Sequence, residues 1–89
     1  MAWRVEWDER AVKELKSFDP QVQRTILKYI RQKFYETDVD PRVYGKPLVF
    51  NKKGLWRFRI GDCRLICLIN DQKVTITIVS VGHRKNVYE

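Results

Sequence analysis

Hydrophobic positions recur at two different periods along this chain, and the change of period divides it. Over Ala2–Trp7, Trp3, Val5 and Trp7 occupy every second position, the spacing of a strand with one buried face. Asp8 then offers an N-cap, and Glu9–Phe18 carries Val12, Leu15 and Phe18 at helical spacing. Asp19-Pro20 restarts the helix: Asp caps it and Pro fits its first turn, where no backbone N–H is needed. Val22, Ile26, Ile30 and Phe34, joined by Leu27, predict a second amphipathic helix running to about Tyr35.

The period then shortens to two. Thr37–Pro47 is irregular, punctuated by Pro41, Gly45 and Pro47, and Leu48–Phe50 has the composition of a short strand. In Leu55–Ile60, Trp56, Phe58 and Ile60 alternate with Arg57 and Arg59. Gly61-Asp62 is a two-residue hairpin signal, Cys63–Ile69 a further strand, and Asn70-Asp71-Gln72 a turn. Lys73–Val81 alternates Val74, Ile76 and Ile78 against Thr75 and Thr77, Gly82 closes it, and His83–Glu89 forms a basic tail. The order is β-α-α-β-β-β. An α+β fold is expected, with two N-terminal helices packed on one face of a small, mainly antiparallel sheet. Residues 1–89 read as a single domain.

Charge changes the picture more than composition does. The apolar fraction of 44% is ordinary for a globular chain. Residues 1–40 hold eight basic and eight acidic side chains, whereas residues 41–89 hold ten basic against three acidic, so the whole net charge of +7 lies in the second half. Such asymmetry favours an anionic partner over mere solubility. Cys63 and Cys67 on one strand would stand about 13 Å apart, beyond disulfide reach, and read as reduced core residues. Arg4 and Glu6 interrupt the opening, no apolar signal region follows, and no run is long enough to cross a bilayer. A cytoplasmic protein with no membrane partner is expected.

The candidate chemistry lies on the strands. Arg57 and Arg59, two residues apart, share a face. Arg64 follows across the hairpin turn and Arg84 follows the last strand, so four guanidiniums could converge. Singly, each is an ordinary solubility residue. Together they could bind phosphate oxygens in bidentate fashion and stabilise the charge of a phosphodiester transition state. His83 and Tyr88 are candidate proton carriers. Their alternatives are a surface residue beside a turn and a ring packed on the sheet. Lys46, Lys52, Lys53 and Lys85 are candidate RNA-backbone contacts. Trp3, Trp56 and Phe58 read as buried, leaving few aromatics for base stacking. The acidic residues interleave with basic ones, so no carboxylate cluster suggests a metal pair, and no phosphate-cradling glycine loop is present. Arginines without metal ligands point to RNA, whose 2′-hydroxyl can attack its own phosphate.

Trp56–Ile60, Arg64-Leu65-Ile66, Ser80-Val81-Gly82-His83-Arg84 and Val87-Tyr88, with Glu6-Trp7-Asp8-Glu9-Arg10-Ala11-Val12-Lys13-Glu14-Leu15 at the start, resemble the RelE-type toxins of toxin–antitoxin pairs. The resemblance implies a ribosome-dependent endoribonuclease that cuts mRNA in the A site with the 2′-hydroxyl as nucleophile. It implies a cognate antitoxin and the ribosome, with its mRNA and rRNA, as partners, and no metal or small-molecule cofactor. Carried over, Arg57 and Arg59 take the basic pair of the first meander strand, Arg64 and Arg84 the phosphate-contacting arginines, and Tyr88 the C-terminal tyrosine. Two departures matter. Some members carry lysines where Arg57 and Arg59 stand. Arginine stays protonated, so here these positions stabilise charge and proton transfer shifts toward His83 or Tyr88. The tail is also short, with three residues between Arg84 and Tyr88. Two alternatives use the same surface: a ParE-like inhibitor of DNA gyrase, and a non-catalytic nucleic-acid-binding domain.

Overall fold

The computed structural model describes residues 3–48 and 54–83. β1 (Arg4–Trp7) turns Val5 and Trp7 inward. α1 (Glu9–Lys16) follows, with the Asp8 carboxylate accepting a hydrogen bond from Arg10 N–H. α2 (Pro20–Ile30) starts at Asp19, whose carboxylate accepts from Val22 N–H at 3.1 Å. It continues into a π-helical turn, Arg31–Tyr35, rather than ending as a uniform α-helix, and buries Phe34 in line with Ile26 and Ile30. A 3₁₀ turn, Pro41–Tyr44, leads to β2 (Lys46–Pro47), β3 (Leu55–Ile60), β4 (Cys63–Asn70) and β5 (Thr75–His83).

The sheet order is β1-β5-β4-β3-β2, with β1 parallel to β5 and the other pairs antiparallel. Ala11, Leu15, Ile26, Ile30 and Phe34 from the helical half pack on Phe58, Leu65, Cys67, Ile76 and Ile78. The expected α+β layering is therefore present. Cys63 and Cys67 are free and buried on β4. Burial raises both thiol pKa values, and Asp62 adds to the effect at Cys63, so neither thiol is activated. Among the described residues, no helix is long and apolar enough to cross a membrane.

The short strand expected at Leu48–Phe50 falls mostly on residues 49 and 50, which lie outside the described residues; just before it β2 occupies Lys46–Pro47, and Leu48 donates its N–H to Leu55 O. Two expectations need correction. Trp3 and Trp56 are half-buried rather than buried, and the Arg42 guanidinium lies 5.9 and 5.8 Å from their ring centroids. Gly82 does not close the last strand, which runs on through His83.

That last strand also shifts phase. Ile66 pairs with Ser80 but Cys67 pairs with Ile78, leaving Val79 as an extra residue in a β-bulge. Ile76, Ile78 and Val81 consequently share the helix side, and Val81 is 2% exposed. Beyond Ile78 the edge of β5 is no longer paired with β1. Glu14 of α1 takes over, its carboxylate accepting from Ser80 Oγ and Val81 N–H, each at 2.9 Å. Burial by itself pulls the Glu14 pKa upward, but these two hydrogen bonds and the Arg10 guanidinium outweigh it, and the net shift is downward. Glu14→Ala should cost about 1–3 kcal/mol at neutral pH by stranding the Val81 N–H. A depressed carboxylate pKa stabilises the fold above the ordinary glutamate range and loses that contribution as pH falls through the folded value. Urea titrations should therefore show the gap between wild type and variant narrowing in acid.

Candidate nucleic-acid interface

The β3–β4 hairpin builds the site. Gly61 adopts φ 59°, the left-handed conformation needed by the two-residue turn. This turn sets Arg59 directly opposite Arg64, and Arg57 opposite Ile66. On the far side of β3, Lys46 stands opposite Arg57. Directly opposed residues share a face, so Lys46, Arg57, Arg59 and Arg64 form one cationic surface across β2, β3 and β4, away from the helices. Arg59 also donates from Nε to Gly61 O at 3.4 Å.

Like charges placed directly opposite are destabilising. Two such pairs, Arg59 with Arg64 and Lys46 with Arg57, gather positive charge on adjacent strands, where an anion lying across them would be attracted. The side chains border a cleft of about 170 Å³, together with Tyr44 and Gly45. Gly45 is required there by close approach: a Cβ would stand 2.6 Å from Phe58 Cε2 and 2.7 Å from Arg57 O. Any side chain would push Lys46 off β3. Farther along the same face Leu48 and Ile66 are buried in a small apolar cluster with Leu55, beside Leu68, which is 39% exposed.

Arg42 has a different duty. It pairs with Asp40 at 3.0 Å and with Asp71 at 2.9 Å, tying the 3₁₀ turn to the β4–β5 turn. Among the described residues, no group of three or more His, Cys, Asp or Glu side chains could hold a metal ion.

Of the predicted site residues, the hairpin brings together Arg57, Arg59 and Arg64, and β2 adds Lys46. His83 is exposed and pairs with Cys63, whose side chain belongs to the helix-side core. Its register position is one step out of phase with Gly82, the partner of Arg64, yet it borders a cleft at the β5 edge together with Leu55, Ile66, Ser80 and Gly82 of the arginine face. Lys52, Lys53, Arg84, Lys85 and Tyr88 lie outside the described residues. Sequence reasoning missed Tyr44, which borders the cleft from the 3₁₀ turn. Its one sequence signal is its place in the Pro- and Gly-punctuated loop beside Lys46.

A mixed five-stranded sheet with helices on one face and an arginine cluster on the other defines the class: a small toxin of the RelE/ParE superfamily. The family described as "ParE toxin of type II toxin-antitoxin system, parDE" matches residues 5–88, and the chain belongs to it. It is 27% identical over 88 residues to Toxin RelG of Mycobacterium tuberculosis, covering 99% of this chain and 98% of that protein. It is 29% identical over 90 residues to the mRNA interferase toxin RelE of Escherichia coli, covering 96% and 86%. The solved toxin-antitoxin complex RelBE2 from M. tuberculosis contains a chain that superposes with a TM-score of 0.80 at 26% identity, covering 97% of this chain and 95% of that one. A toxin–antitoxin complex among the neighbours supports an antitoxin as partner.

Proposed function

We propose that this toxin is a ribosome-dependent endoribonuclease that cuts mRNA in the A site. The observation that carries this reading is the shared face of Lys46, Arg57, Arg59 and Arg64. In the reaction, the ribose 2′-oxygen loses its proton and attacks the adjacent phosphorus. The bond to the 5′-oxygen breaks, and that oxygen takes up a proton. The products are a 2′,3′-cyclic phosphate and a 5′-hydroxyl. Negative charge builds on the phosphoryl oxygens between these events, and guanidiniums aimed there stabilise the transition state more than the ground state. Arginines do not accept the proton. Two candidate carriers remain: His83, which borders the cleft at the β5 edge, and Tyr88, which lies outside the described residues. The relative named an mRNA interferase supports the same reading.

A second reading, gyrase inhibition, is favoured by the ParE description of the matching family. Primer extension on translated mRNA after induction separates the two. Discrete cuts within codons, ending in cyclic phosphate, are expected. Intact transcripts accompanied by DNA-damage signalling would overturn the ribonuclease reading in favour of gyrase.

A further inference from the structure

The cationic cleft has an aromatic rim. Among the described residues bordering it, the aromatics are Phe58 and Tyr44. Phe58 is 0% exposed and cannot meet a ligand, whereas Tyr44 is half-buried. Tyr44 is also held in place. Its 3₁₀ turn is capped by Asp40, which accepts from Arg42 N–H at 2.9 Å, and Arg42 is anchored to Asp71. The next residue, Gly45, sits against Phe58 with no room for a Cβ. Lys33 Nζ lies 4.7 Å from the Tyr44 ring centroid, and part of the ring packs against the helix-side core, so only its cleft-bordering portion can meet a base.

We propose that Tyr44 is a nucleobase platform. Its ring stacks on the base flanking the phosphate held by Arg57, Arg59 and Arg64, and this contact selects where single-stranded RNA is cut. The inference deepens the ribonuclease reading and rests on it. Proteins that take single strands combine a cationic groove with aromatic side chains, and preferences among bases follow stacking strength. A ring fixed before binding loses little freedom on contact. Purines present the larger π surface, so Tyr44 should favour a purine beside the scissile phosphate. Lys33 adds positive charge at the same rim without entering the cleft itself.

The test uses ribosomes programmed with mRNAs whose A-site codon differs at the flanking base, comparing wild type with Tyr44→Phe, Tyr44→Leu and Tyr44→Trp. Tyr44→Phe keeps the ring and should keep the purine-to-pyrimidine cleavage ratio. Tyr44→Leu keeps apolar packing but removes the π face, and should lower cleavage at purine sites about tenfold with little change at pyrimidine sites. Tyr44→Trp enlarges the platform and should raise the ratio, which keeps the test decisive if the leucine variant folds poorly. An unchanged ratio in both Tyr44→Leu and Tyr44→Trp, or an equal loss at every site, overturns the platform and leaves the ribonuclease reading standing. If wild type leaves every message uncut, the ribonuclease reading falls and takes the platform with it.

Discussion

Arg64→Ala should slow mRNA cleavage by about 10²- to 10³-fold, the range set by removing one preorganised donor from a developing oxyanion. Arg64 stands on β4 directly opposite Arg59 and borders the cleft with Arg57 and Lys46. Its loss removes charge where the phosphoryl oxygens would gather it, and the hydrophobic core is untouched. Single-turnover cleavage on programmed ribosomes measures the rate, and thermal melting checks the fold. A variant that cuts at the wild-type rate would show that chemistry does not occur on this face. Arg59→Glu sharpens the test because its two effects have opposite signs. It converts a like-charge cross-strand pair into an attractive one, worth up to about 1 kcal/mol. In a domain this small that raises Tm by at most about 4–8 °C. Cleavage should fall at the same time, as expected of a surface shaped for binding rather than for stability.

Phe58→Ala should have the largest effect on stability, costing about 3–5 kcal/mol through lost burial and an unfilled cavity. Phe58 is fully buried and meets Phe34 edge-on, with ring centroids 5.1 Å apart and planes at 73°. It also forms the floor beneath Gly45. Small domains sit near the lower end of about 5–15 kcal/mol of total stability, so this variant should be partly unfolded at room temperature. Urea denaturation followed by circular dichroism gives the value. Phe58→Leu should recover most of the stability yet loosen the seat of Gly45. Its cleavage rate should therefore fall further than its melting point suggests. If rate and stability fall in proportion, Phe58 supports the core alone and not the cleft.

Most of the layering was legible in the chain because its causes are local. Asp8 and Asp19 cap the helices through neighbouring N–H groups. The every-fourth spacing of Ile26, Ile30 and Phe34 predicted the buried stripe, and these residues are buried. Gly61-Asp62 dictated the hairpin, and with it the shared face of Arg57, Arg59 and Arg64. Tyr44 was not legible as a rim residue, because its place depends on Arg42 reaching Asp71 and on Gly45 meeting Phe58. Both contacts join segments far apart along the chain.

The end of β5 marks the boundary most sharply. Strict alternation from Thr75 and Thr77 would carry residues 79, 81 and 83 on the arginine face, with His83 among them. The bulge at Val79 reverses that phase and sends Val81 into the core. The bulge is braced by Glu14, 66 residues before Ser80 and 67 before Val81. The sequence by itself therefore determined the helices, the hairpin and the arginine face, since periodicity, capping and turn chemistry act between near neighbours. Only the tertiary structure decided the phase of the last strand and the rim of the cleft. Those depend on hydrogen bonds and packing between residues that only the folded chain brings together.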